Sequence, residues 1–278
     1  MNKPFEINNA GCLVVESERI KECIEYIKNN EIKALSISTM EFRNKDIDFL
    51  KYCPNIEEIA IISPINNYDG LYELKRLKKL TIFDPVGNVD FGLINDLNYL
   101  HISLNKQIKN LNTQLNLETL IVRDYKPVRK NLEELPNSKN LLNLDLIQCN
   151  ITSLDGCEKY KKLRNLGLYY LSKLEDVTQI CSLSNGLKTL EIENCKKVQV
   201  NDFLSCLKEV EILHLINCGD IPSINFIKNM EKIKNFLFYG TNVLNGDVSP
   251  CFGLEYVSFT NKKHYNHKEN EFNNELPD

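Results

Sequence analysis

Several groups of residues in this 278-residue chain have types that could do chemistry. Ten are cysteines: Cys12, Cys23, Cys53, Cys149, Cys157, Cys181, Cys195, Cys206, Cys218 and Cys251. No two of them stand as Cys-x-x-Cys, so a zinc or dithiol centre lacks its usual ligand pair. The opening residues show no basic region followed by an apolar run, and a small disulfide-framed secreted domain is therefore not expected. Most of the cysteines are expected to be buried thiols packing as small hydrophobes. His264 and His267 have a spacing compatible with metal on a helical turn, but no third ligand accompanies them, so no metal site is assigned. His101, Arg123 and Asp145 could form a charge-linked row, yet catalysis needs an activated nucleophile and a dry pocket beside them. Phosphate-loop and dinucleotide fingerprints are missing, so no cofactor is expected. Asn150-Ile151-Thr152 matches a glycosylation acceptor, which carries no weight without an export signal.

Composition narrows the class. A hydrophobic share of 42% and a charged share of 26% are those of a globular protein. With 38 acids against 34 bases, the net charge of −4 disfavours nucleic acid as a partner. No apolar run approaches the roughly 20 residues of a spanning helix, and a cytoplasmic location is expected.

What positions these residues is a repeat. Apolar residues at slots 1, 4 and 6 of a template recur from eleven starts: Ile32, Ile56, Leu77, Leu97, Leu117, Leu141, Leu163, Leu187, Val210, Ile233 and Leu254. Successive starts lie 20 to 24 residues apart, and every residue in those three slots is apolar. A degenerate earlier copy is visible in Leu13 and Val15, 22 residues before Leu35 and Ile37. Slot 9 holds Met40, Pro64, Pro85, Asn105, Tyr125, Cys149, Leu171, Cys195, Cys218, Thr241 and Lys262, so a continuous asparagine ladder is not expected. The first third should be the less regular part.

The pattern resembles the leucine-rich repeat family, L-x-x-L-x-L-x-x-N/C-x-L, over residues 32–260, and its lengths are closest to the short bacterial repeats of internalin-like proteins. That resemblance implies an α/β leucine-rich repeat solenoid, a right-handed superhelix with a parallel concave sheet of about eleven strands and short helices or turns on the convex side. Slots 4 and 6 would face the core, and a cysteine at slot 9 would hydrogen-bond neighbouring backbone carbonyls. Residues 1–31 should form a capping strand and helix, with Ile20, Cys23, Ile24 and Ile27 on one stripe and Ser17 capping its start. Residues 261–278 read as a polar tail whose early part could fold on the last repeat through Tyr265 and Phe272. A single domain is expected overall. Cys218-Gly219-Asp220 is similar to the nucleophile motif of repeat-bearing bacterial ubiquitin ligases, but Cys218 falls in slot 9, where a core role is expected.

Slots 3, 5 and 7 would line the concave face, about 50 Å long for eleven strands at roughly 4.8 Å spacing. That is adequate for a protein interface. The expected function is a non-enzymatic protein–protein interaction module with its partner on this face. The expected contact residues are Tyr99, His101, Arg123, Asp145, Tyr169, Glu191, Glu193, His214, Tyr239 and Tyr256. The alternatives are a cytosolic immunity or regulatory protein against a toxin, or a bacterial effector exported by a non-classical route.

Overall fold

The structure, a computed structural model, describes residues 4–200 and 202–272. Among them, 4–123 with 135–138 form one compact unit, and 124–134 with 139–272 form another. The first unit carries β1 (Leu13–Val14), α1 (Ile20–Asn29), β2 (Ala34–Ile37), β3 (Glu58–Ile61), α2 (Asp69–Tyr72) and β4 (Lys79–Ile82). It continues with β5 (Val89–Asp90), β6 (Tyr99–Ser103), β7 (Ile108–Lys109) and β8 (Thr119–Arg123). The second carries β9 (Asn143–Ile147), β10 (Asn165–Tyr169), β11 (Thr189–Glu193), β12 (Ile212–Ile216), β13 (Asn235–Phe238) and β14 (Tyr256–Phe259).

Every strand-to-strand pairing within each unit is parallel. In the first unit the order is β1-β2-β3-β4-β6-β8, and in the second β9 through β14 in sequence. The register is the one the template requires. Leu35, Ile59, Leu80, Leu100 and Leu120 are successive partners, as are Leu144, Leu166, Leu190, Leu213, Phe236 and Val257. The degenerate copy joins in, with Leu13 opposite Leu35. All slot 4 and slot 6 side chains are buried, because alternate residues of a strand share one face and stacking encloses it. Slot 1 is buried too, except at Ile32, Ile233 and Leu254, where it is half-buried.

The return segments are mostly single 3-10 turns, among them Asp48–Tyr52, Cys157–Lys159, Thr178–Leu183, Asp202–Cys206 and Asn225–Asn229. A return of about a dozen residues has room for little more than one turn before the next strand must begin. The first unit is the less regular: β5 and β7 add a separate two-stranded pair to its return side. Buried Gln114 holds that region, donating to the carbonyls of Phe91 and Ile94 and accepting from the amide of Leu97. A buried amide is tolerated there because its polar atoms are satisfied.

Helix α1 buries Cys23 and Ile27 and keeps Ile20 and Ile24 half-buried. Ser17 does not cap it. A short 3-10 turn, Ser17–Arg19, precedes the helix, and the Ser17 hydroxyl instead accepts from the amides of Arg43 and Asn44 in the next coil. Arg19 braces the start through Glu16 and Glu22, at 3.3 and 2.9 Å. At the other end, phenylalanines replace aliphatics in slots 4 and 6. Phe236, Phe238 and Phe259 stack with centroids 4.8 and 4.6 Å apart. Phe272 lies against Phe252 and Phe259, and the Tyr265 hydroxyl accepts from the amide of Val243. The remainder of the tail, 273–278, lies outside the described residues.

The chain leaves seven of the repeat strands by a left-handed residue. Slot 8 has positive φ at Asp84, Asp124, Gln148, Tyr170, Asn194, Asn217 and Gly240, between 45° and 63°. In the second unit the amides of Asp124, Gln148, Tyr170, Asn194 and Asn217 donate to the slot 7 carbonyl of the following coil, which carries the sheet ladder one residue past the strands. In the second unit the bend turns slot 9 inward from Tyr125 to Thr241, and polar side chains there satisfy the backbone. Cys195 Sγ donates to the Leu168 carbonyl, Cys218 Sγ to that of Ile192, and Thr241 Oγ1 to that of Leu215, at 3.4, 3.2 and 2.6 Å. Each acceptor is slot 6 of the preceding coil. In return, Cys195 and Thr241 accept from the slot 9 amides of Leu171 and Cys218. These groups would otherwise be buried without partners.

Eight cysteines are free and buried, as expected for thiols packed as hydrophobes. Cys181 and Cys206 depart from that expectation. They form a disulfide between the turns Thr178–Leu183 and Asp202–Cys206. Their slots differ by one in coils of unequal length, so the repeat template does not align them.

Candidate functional site

The ten residues expected on the outward face of the sheet stand at slots 3, 5 and 7, opposite in direction to the buried slots 4 and 6. Tyr99, His101 and Arg123 belong to the first unit, the other seven to the second.

In the first unit, His101 meets Phe83 edge-on with centroids 4.6 Å apart, and the Arg123 guanidinium lies 5.9 Å from the Phe83 ring centre. Burial, and then the neighbouring Arg123 charge, push the His101 imidazole down to about 4. The ring is therefore neutral at ordinary pH, and its buried Nε2 has no hydrogen-bond partner. The anticipated charged row thus lacks a charged histidine. Tyr99 is half-buried on β6.

In the second unit, three of the residues, Tyr169, Glu191 and His214, join in one network beside a bare position, and Asp145 borders it. Gly167 is slot 5 of β10, paired with Asp145 on β9 and Glu191 on β11. A Cβ at Gly167 would lie 2.4 Å from Tyr169 Cε2, 2.7 Å from its hydroxyl and 2.5 Å from Asp145 Oδ1. The missing side chain is what lets the Tyr169 ring lie back across the strand. From there its hydroxyl donates to Glu191 Oε2 at 2.5 Å, and Glu191 Oε1 lies 3.4 Å from His214 Nδ1. The His214 contact, followed by the Tyr169 hydrogen bond, lowers the Glu191 carboxyl against the effect of burial. Burial chiefly, with the hydrogen bond to Glu191 and the surrounding carboxylates, raises the Tyr169 phenol.

Asp145 is raised, first by burial and then by the Glu191 charge. A carboxyl whose folded value exceeds its unfolded one is destabilised by its charge above that value. Asp145→Asn is therefore expected to increase stability at neutral pH. The gain should shrink as pH falls through the raised value and vanish below the ordinary carboxylate range. Urea denaturation of both proteins across pH 3–8 checks it; a loss of stability at neutral pH contradicts it.

The remaining three residues stand apart from this network. Glu193 accepts from the side-chain amide of Asn194. Tyr239 hydrogen-bonds Ser258, whose hydroxyl also donates to Glu269, and Tyr256 is exposed. Gly167 was not among the expected site residues; a glycine inside an otherwise regular strand is the signal of such a close approach.

No family model matches the sequence, and no curated protein matches it. Solved structures do. An internalin (inlF) from Listeria monocytogenes superposes with a TM-score of 0.60 at 16% identity, over 84% of this chain and 71% of that one. This chain has the leucine-rich repeat fold. A second leucine-rich repeat match is the functional domain of InlJ, also from Listeria monocytogenes, with a TM-score of 0.53 at 15% identity. It covers 84% of this chain, which spans 57% of that domain, and the domain is described as including a cysteine ladder. Within the leucine-rich repeat fold, the cysteines of this chain at slot 9 are Cys149, Cys195 and Cys218, all buried. Among the described residues no helix is long and apolar enough to cross a membrane.

Proposed function

We propose that the chain is a non-enzymatic protein-binding module that receives a partner protein on the outward face of its sheet. The observation that carries this reading is the network over Gly167. An aromatic ring is held in one orientation by Glu191, which is itself held by His214, so docking would cost little side-chain ordering. Tyr239 and Tyr256, 42% and 39% exposed, offer further aromatic area on the same unit. In this reading Asp145, Tyr169, Glu191, Glu193, His214, Tyr239 and Tyr256 contact the partner on the second unit, and Tyr99, His101 and Arg123 do so on the first. In this reading neither cofactor nor metal takes part, and the partner is not nucleic acid.

Capture from the native cell identifies the partner, and substitution then locates the contact. Tyr169→Ala is expected to weaken binding by more than about 1 kcal/mol while leaving the melting temperature nearly unchanged. Gly167→Ala should have a similar effect on affinity, because the added methyl displaces the ring without removing it. Calorimetric titration measures both. Undiminished affinity in both variants places the contact elsewhere.

A further inference from the structure

The ten cysteines divide by exposure. All eight free thiols are buried, and the two half-exposed cysteines, Cys181 and Cys206, are bonded to each other. The bond joins consecutive return turns, away from the proposed binding face, across 25 residues of chain. We propose that Cys181 and Cys206 form a reversible redox clamp that fastens the turn Thr178–Leu183 to the turn Asp202–Cys206.

The surroundings suit a bond that opens and closes without scrambling. A third cysteine, Cys157, sits on the preceding return turn, with its sulfur 3.8 Å from Ser182 Oγ and 3.5 Å from the Gln179 carbonyl. It is thus beside the residue that follows Cys181. Exchange requires a thiolate, and Cys157 is 1% exposed, with burial pushing its thiol up to about 11. The neighbour best placed to attack the disulfide is held as a thiol. Solvent-borne reagents, by contrast, reach the half-exposed pair.

Closure balances against a small disulfide such as oxidised glutathione. One protein thiolate attacks it, forming a mixed disulfide and releasing one glutathione thiolate. The second protein thiolate attacks the protein-side sulfur and releases the other. Two electrons pass to glutathione and two protons leave the protein thiols; reduction by two glutathione molecules reverses both steps. When closed, the bond limits the separation of two turns that are otherwise held by packing and single-turn hydrogen bonds, and it restricts the unfolded chain.

The test equilibrates the full chain with glutathione buffers from fully reduced to fully oxidised, quenches in acid, labels free thiols and maps them by mass spectrometry. Two thiols are expected to disappear together, both mapping to Cys181 and Cys206, with Cys157 unpaired throughout. Amide exchange in 178–183 and 202–206 should be several-fold slower in the oxidised protein. The melting temperature should be about 3–6 °C higher, a difference lost in both Cys181→Ser and Cys206→Ser. Cys157→Ser should retain it. The inference is overturned if both cysteines stay reduced in excess oxidised glutathione, if either pairs with Cys157, or if exchange in the two turns is the same in both states.

Discussion

Leu166→Ala is expected to lower the stability of the chain by about 2–5 kcal/mol, the range for removing a large buried side chain and leaving part of its volume empty. Leu166 is 1% exposed and sits in slot 4 of β10, in register between Leu144 and Leu190. Its neighbours cannot close the gap, because each is pinned by the ladder of its own strand. Coils in a solenoid touch mainly their neighbours, so the damage should be local before it is global. Urea denaturation reads the total, and amide exchange should show the largest loss of protection in β9, β10 and β11. A change below about 0.5 kcal/mol is the behaviour of a surface position and is incompatible with this register.

Gly70→Ala is the second large effect, expected at about 3 kcal/mol from overpacking. Gly70 lies in α2, on the return side of the first unit. A Cβ there would come within 2.0 Å of the Ile47 carbonyl oxygen and 2.7 Å of its carbon. Those atoms are backbone, and the adjoining segment is fixed by the bridge between Asp46 and Asn67 and by amides of Asn66 and Asn67 bound to the Lys45 carbonyl. The methyl therefore cannot be accommodated by rotating a side chain; one return turn must move off the other. Thermal unfolding checks it, and a melting temperature within 1 °C of the parent protein would show that the turns slide apart freely.

The strands were readable from sequence because their signal is written eleven times. A single slot 4 leucine says little, but the chain Leu144, Leu166, Leu190 and Leu213 admits one register, and the structure has it. Other features depend on relations that a template of slots does not contain. The left-handed slot 8 uses Asp, Gln, Tyr, Asn and Gly in turn, so no residue type announces it. Cys181 and Cys206 meet because two returns of different length bring unequal slots together. Ser17 has the chemistry of a helix cap, yet the amide of Arg43, 26 residues on, competes for the same oxygen. At the candidate site, sequence placed Asp145, Tyr169, Glu191 and His214 on one face. It did not show that Gly167 lets Tyr169 reach back to Glu191, since that follows from the path of one ring.

The slot 9 thiols have a spectroscopic consequence. Cys195 and Cys218 each direct a sulfur–hydrogen bond at a backbone carbonyl, in an interior closed to water. Stretching vibrations of that bond absorb in an infrared window almost empty of other protein bands, and hydrogen bonding moves them to lower frequency. Heavy water should shift the components of these two groups only as fast as their coils open, so the band's decay times the breathing of individual coils without any added label.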